Sequence, residues 1–403
     1  MNSIFFVFLL FMNKINLLNI SPFPWQPPFH GGQHRVFNIV KKYKDLGIEV
    51  QSIGINPDPH HYRSQANFIP CDEKLIKKYS DKPWQMSDYY FANEFIDDKG
   101  RFQKLSSVVK VAPEVIQIEH PWLFKFGLKF AESLPRRPRI VYSSHNIEHQ
   151  LKEKLLRGVL PTTDLKEEVE KVRLLEEFSI LNSDYIVCCT ENDANYARQV
   201  NPSATVLVCP NGVRSIRNIP RFDITLPEKY AIFCGSGHPP NVKGLYEMFS
   251  KGLGCVAPDQ RLIIVGSVGH QVMLDQRFDK IPNFRKRTVI LGEVEENLMN
   301  FLLSHAHVVI LPLTVGGGSS LKTAEALYLG KWVVATECAL RGFEKFSSSA
   351  GVLISKDNER DSFSQMLRKA FDSEPLHLSS FEKERRESLL WTSTLKDLIK
   401  IVS

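Results

Sequence analysis

The sequence predicts an α/β protein built from two Rossmann-like units, each a parallel sheet wrapped by helices. Three observations carry this reading. From Tyr230 onward the short apolar runs AIFCGS, RLIIVGS, TVILGEV, HVVILPL, WVVATE and GVLIS alternate with helix-length segments. Earlier in the chain a strand, loop, helix and strand follow one another, and VIQIEH, RIVYSSHN and YIVCCT extend the same rhythm. The 403 residues also exceed what one ordinary core encloses, so units of roughly 200 residues are expected. Strands that are apolar throughout, rather than alternating, belong to sheets covered on both faces.

Taken in order, the chain opens with MNSIFFVFLLFMNKINLLNIS. Its apolar run at 4–12 is too short to span a bilayer and lacks the basic segment of a signal peptide. A cytoplasmic protein is expected. Residues 1–11 then either precede a natural start at Met12 or touch the inner face of the membrane peripherally. A first strand at 15–20 leads into the Pro-rich loop SPFPWQPPFHGGQHR, which closes on Gly31 and Gly32. Helical spacing over 36–46 and the strand GIEVQSIGI come next, then a less regular region over 57–102. Strand-like runs at 115–120 and 139–146, a charged helix near 163–181, YIVCCT and TVLVCPNGV complete the first half. The expected units are 1–213 and 214–380, with 381–403 a C-terminal helix packing back on the first unit.

Charge and cysteine usage narrow the function classes. A net charge of +6, with no long basic block, suits anionic small ligands or a membrane surface and argues against nucleic acid. The seven cysteines form no C-x-x-C pair and lie mostly in apolar runs, as buried free thiols in a reducing compartment would.

The chemically richest stretch is VGGGSSLKTAEALYLGKWVV, at 315–334. It approaches a phosphate-binding P-loop, but Leu321 stands where the second glycine is required, and a leucine resists the backbone conformation of that turn. A glycine-rich turn between an apolar strand and a helix over about 319–329 still has the physics of an anion site. On that helix Ser319, Lys322 and Glu325 share one face, with Leu321, Ala324 and Tyr328 as the apolar stripe. A surface ion pair is the plain alternative.

Together NLLNISPFP…GGQHR, PNGV, PLTVGGGSSLKTAEALYLGKWVVAT and Trp391 resemble the GT-B glycosyltransferases, in particular the large retaining family four, across nearly the whole chain. The resemblance implies two Rossmann-like domains facing across a cleft. The first would bind a glycan, lipid-linked or small-molecule acceptor, and the second a nucleotide-diphosphate sugar. It further implies that Gly316, Gly317, Gly318, Ser319, Ser320 and Leu321 hold the diphosphate beside Lys322, and that Glu325 grips the ribose. Fixed donors there would meet the charge growing on the leaving group. Where the family usually carries a second glutamate facing the donor sugar, this chain has Gly317. That departure keeps a catalytically silent nucleotide- or partner-binding protein in view.

In CGSGHPPNVKG, Lys243 matches the family's lysine-glycine element, while Ser236 fills the usual arginine position. The segment fails as a dinucleotide fingerprint because Pro240 replaces the third glycine. Gly31 and Gly32 are expected to bring backbone N–H groups to phosphate. His145, Asn146, Glu119 and His120 end strands on the edge expected to face the substrates, and Asn211 lies in PNGV. Lys322, His145 and Lys243 are the catalytic candidates. HNIEH, at 145–149, also spells the H-x-x-E-H of zinc hydrolases, but its first histidine follows a strand directly rather than sitting in a helix. No Asp-x-Asp is present, so neither a metal nor a cofactor is expected beyond the sugar nucleotide as co-substrate.

Overall fold

The computed structural model describes residues 15–215, 219–356 and 359–403. The apolar start of the chain at 4–12, expected either to precede the natural start or to touch a membrane, lies outside the described residues. Two compact units emerge. One comprises the chain up to Cys209 together with Leu395–Ser403, and the other Pro210–Thr394.

The first unit holds a seven-stranded sheet. Its strands are β1 (Asn16–Ser21), β2 (Glu49–Asn56), β3 (Phe68–Pro70), β4 (Val115–Glu119), β5 (Arg139–Ser143), β6 (Tyr185–Cys188) and β7 (Thr205–Val208), in the order β3-β2-β1-β4-β5-β6-β7. All its pairings are parallel. Leu17, Leu18 and Ile20 of β1 are completely buried, as are Ile116 and Ile118 of β4, so both faces of the central strands are covered. The order reverses at β1/β4, which is where an open α/β sheet leaves room for a ligand beyond its carboxyl ends.

The helix expected over 36–46 spans Gly31–Asp45 instead. Its early start comes from a capping box of unusual composition. His30 Nδ1 accepts from the Gln33 N–H, and Gln33 Oε1 accepts in return from the His30 and Phe29 N–H groups. The region at 57–102, expected to be irregular, contains β3 and helices Glu73–Lys78, Ser87–Asp97 and Lys99–Ser106.

The second unit has six strands: β8 (Tyr230–Cys234), β9 (Arg261–Val265), β10 (Thr288–Gly292), β11 (Val308–Leu311), β12 (Trp332–Thr336) and β13 (Val352–Ser355). Their order, β10-β9-β8-β11-β12-β13, places a reversal between β8 and β11. The expected single helix at 381–403 is broken into Ser380–Glu387, Trp391–Thr394, a short 3-10 turn and Ile399–Val402. The break has a tertiary cause: Val213 pairs with Leu390, donating to the Leu389 carbonyl and accepting from the Trp391 N–H, so those groups leave the helical ladder. All seven cysteines are free. Among the described residues no helix is long and apolar enough to cross a membrane.

Candidate active-site residues in each unit

In the second unit, β11 runs into the glycine-rich loop and then the helix Leu321–Tyr328. This helix starts two residues later than expected, leaving Ser319 in the loop. Its buried face is Thr323, Ala324, Ala326 and Leu327, while Leu321 and Tyr328 are only half-buried. Thr323 can face inward because its hydroxyl donates to the Ala339 carbonyl, 2.6 Å away. Ser320 sits at the N-cap without a side-chain bond to the first turn. The first-turn amides of this helix are therefore positioned to receive an external anion.

The loop is tied down from several sides. Asn211 donates from its backbone to Ser319 Oγ and from Nδ2 to the Ser319 carbonyl, both at 2.8 Å. PNGV thereby acts on the loop itself. Gly244 allows the helix Pro239–Phe249 to lie directly on the loop, since a Cβ there would come 1.9 Å from the Pro312 carbonyl oxygen. On the next turn Glu247 accepts from the Thr314 hydroxyl and lies 3.7 Å from Lys243. Lys243 is thus half-exposed beside the loop and already has a carboxylate neighbour.

Lys322 and Glu325 are half-buried and interact electrostatically without closing an ion pair. Burial lowers the Lys322 ammonium, against the pull of Glu325. Burial pushes the Glu325 carboxyl up to about 7, with Lys322 opposing. Two further groups reach Lys322 that the sequence reading did not select. His238, at the start of the helix Pro239–Phe249, lies within its electrostatic range. Arg341 donates from Nε to the Gly317 carbonyl at 3.1 Å and from Nη1 to the Cys338 carbonyl at 2.5 Å. Its guanidinium covers Gly316 so closely that a Cβ there would lie 2.3 Å from Nη2. A side chain at 316 would displace the guanidinium from this position, a pairing invisible in a linear reading because the partners are 25 positions apart.

In the first unit, the carboxyl ends of β4 and β5 bring Glu119, His120, His145 and Asn146 together. Glu119 is completely buried and accepts from Asn19 Nδ2 (2.8 Å), Gln117 Nε2 (2.6 Å) and His145 Nε2 (2.9 Å). Burial alone would raise its carboxyl; the His145 bond and the other donors outweigh it and hold the group below the usual carboxylate range. His145 is itself buried, and burial together with the neighbouring His120 drives it down to about 3, so it is a neutral imidazole donating to Glu119. The ring centroids of His120 and His145 are 3.9 Å apart.

His120 has φ of 61°, a left-handed conformation seldom taken by a residue with a side chain. Its Nδ1 lies 2.8 Å from Glu148 Oε1, an oxygen that Asn146 Nδ2 also reaches at 3.1 Å. With Nδ1 engaged by that carboxylate, the second ring nitrogen, Nε2, is buried with no partner. Glu148 is fixed in turn by Glu176, whose carboxylate accepts from the Glu148 N–H at 2.7 Å and contacts His149 Nδ1 at 2.6 Å. The two histidines of HNIEH therefore have different carboxylate partners, and His145 precedes the helix Glu148–Leu156 rather than lying on it. Among the described residues no group of three or more His, Cys, Asp or Glu is arranged to hold a metal ion. Gly31 and Gly32 open the helix Gly31–Asp45, with Gly32 packed beneath the Phe23 and His30 rings.

Residues 228–373, which contain the whole glycine loop and its helix, match the family described as Glycosyl transferases group 1. Over this segment the chain is similar to a group 1 glycosyltransferase domain. The chain as a whole has the GT-B fold. Sucrose-phosphate synthase from Thermosynechococcus elongatus superposes with a TM-score of 0.67 at 13% identity, over 96% of this chain and 98% of that one. The lipopolysaccharide outer core galactosyltransferase WaaB gives 0.63 at 12% identity, over 96% and 99%. The α,α-trehalose 6-phosphate synthase from Burkholderia multivorans gives 0.63 at 13%, over 96% of each chain. No curated protein sequence matches the chain significantly.

Proposed function

We propose that the chain is an active glycosyltransferase that moves a sugar from a nucleotide-diphosphate donor to an acceptor hydroxyl with retention, in the synthesis of a polysaccharide or glycoconjugate. The observation that carries this is the convergence, inside the group 1 domain, of Lys322, Arg341 and the first-turn amides on one glycine loop, with Glu325 one turn on. Fixed cations and amides around an ordered loop stabilise a departing diphosphate without reorganising during bond cleavage. Glu325, once ionised, accepts from two ribose hydroxyls. Arg341 supplies a charge that offsets the usual arginine's replacement by Ser236, and this favours activity over the silent reading. Lys243 is a supporting cation rather than a direct ligand, given its exposure and its Glu247 neighbour.

In the first unit, the unpartnered Nε2 of His120 is the group best placed to hydrogen-bond a sugar hydroxyl. Glu119 and His145 act as the buried scaffold that orients it. Diphosphate stabilisation by protein cations alone makes the transfer metal-independent, and the site is a cytoplasmic one with peripheral access to membrane-borne acceptors.

The test is a thermal-shift screen with UDP, GDP, ADP and their common sugar conjugates, with and without a chelator. A ligand at a hundred times its dissociation constant adds about 2.7 kcal/mol. Stabilisation by one nucleotide family that survives chelation is expected. No response to any nucleotide would overturn the proposal.

A further inference from the structure

We infer that the first unit carries an aromatic platform for the ring of a pyranose acceptor, built by Phe29, His61 and Tyr62 and ending at His120. The inference rests on the proposal that this unit receives the acceptor, and it names the acceptor's chemical class.

Two loops build the platform, one following β1 and one following β2. Gln65 of the second loop ties them together by donating to the Gln26 carbonyl at 2.6 Å. Phe29 is 50% exposed, an unusual position for a phenyl ring held by so many neighbours. Its centroid lies 5.0 Å from His61, 5.2 Å from His30 and 5.7 Å from Tyr62. Tyr62 stacks on Phe23 at 6.2 Å, and Phe23 meets the His120 ring at 5.7 Å. A continuous run of rings therefore leads from the surface to the unpartnered Nε2 of His120.

The composition of this run selects its occupant. A pyranose presents an apolar face of C–H groups and a rim of hydroxyls, so it needs flat aromatic surface together with polar atoms at the ring edges. Phenyl and phenol rings supply the surface. The imidazoles of His61 and His120 supply edge nitrogens, and Asp58, whose Oδ1 accepts from the His60 and His61 N–H groups, holds the His61 loop in place. An acyl chain would instead want a groove of aliphatic side chains, and none of these rings is aliphatic. Aromatic contact surface also costs little conformational entropy to order, because each ring has only two side-chain torsions. The ring-to-ring contacts fix Phe29 even where it faces water.

The experiment is saturation-transfer NMR on the full chain with methyl α-D-glucopyranoside, methyl α-D-galactopyranoside and methyl α-D-mannopyranoside, with sorbitol as the acyclic control. At least one pyranoside is expected to receive saturation at its ring C–H protons, at least five-fold more than sorbitol. Phe29→Ala should reduce that signal at least five-fold, and Phe29→Trp should retain it. His61→Ala gives a second, independent loss, and an unchanged melting temperature shows that each variant is folded. Equal saturation in the parent and Phe29→Ala, equal saturation of sorbitol, or none from any pyranoside overturns the platform. The nucleotide thermal shift on the same samples separates the two readings. Nucleotide binding without a pyranoside signal removes only the platform, whereas a pyranoside signal without nucleotide binding removes only the proposed transfer.

Discussion

Gly244→Ala should disable the donor loop without touching any group that contacts substrate. The added methyl would lie 1.9 Å from the Pro312 carbonyl oxygen and 3.0 Å from its carbon. A carbon–oxygen contact is comfortable only from about 3.3 Å, so the helix Pro239–Phe249 and the loop must part by about 1.4 Å. Overpacking of this kind costs roughly 1–3 kcal/mol of stability. For a unit of this size each kcal/mol lowers the melting temperature by about 2–4 °C. The loss of function should be larger in proportion, because a displacement of about 1 Å in a positioned catalytic group costs on the order of a hundredfold in rate. The assay is release of nucleoside diphosphate from whichever sugar nucleotide gives the largest thermal shift. Gly254→Ala is the control, since a Cβ there meets nothing within 4 Å. A Gly244→Ala protein with turnover within twofold of the parent, and an unchanged nucleotide shift, would refute the reasoning that this glycine sets the loop.

Three other outcomes are expected from the same geometry. Lys322→Ala should lower turnover by orders of magnitude while the fold persists, and near-normal turnover would remove Lys322 from the mechanism. Arg341→Ala should raise the dissociation constant of the stabilising nucleotide by roughly ten- to a hundredfold, in line with about 1.5–3 kcal/mol for a hydrogen bond to a charged group; calorimetry showing the same constant would exclude Arg341 from the site. Because the Glu325 carboxyl is pushed up to about 7, kcat/KM for the donor should rise as pH rises through about 7, and Glu325→Gln should flatten that profile.

The buried histidine of the first unit gives a stability prediction of definite sign. His145 falls from its ordinary value to about 3 in the folded protein, so below pH 6.5 the unfolded chain binds a proton that the folded chain refuses. The stability it contributes is complete above pH 6.5 and declines as pH falls toward 3, with a slope approaching about 1.4 kcal/mol per pH unit. Glu119, held below its usual range, adds to the decline at the acid end. His145→Asn should flatten denaturant-measured stability between pH 6.5 and 4.5, and an unchanged slope there would contradict a neutral, buried His145.

How much of this was legible in the sequence depended on the range of the interactions involved. Strands β8, β9, β11 and β12 could be read directly, because a strand buried on both faces must be apolar at every position, and the half-buried edge strands β10 and β13 keep the same local pattern. The loop and helix carrying Lys322 and Glu325 were legible for a similar reason, since glycines, a cation and a carboxylate fall within one short stretch. The helix starting at Gly31 was not, because its capping box uses the His30 imidazole in place of the usual hydroxyl. The segment at 381–403 read as one helix because its break depends on Val213, far away in the chain. Arg341 shows the same limit in the site itself. Nothing in TECALRGF marks an arginine as part of a glycine loop; its role exists only once β12 is laid beside β11 and Gly316 leaves space for the guanidinium. Gly316 then has a role beyond backbone freedom. Gly316 lies directly beneath the guanidinium and the Gly317 carbonyl accepts from it, so a cation carried beyond the end of β12 is fixed on the glycine loop by contacts that no single stretch of sequence displays.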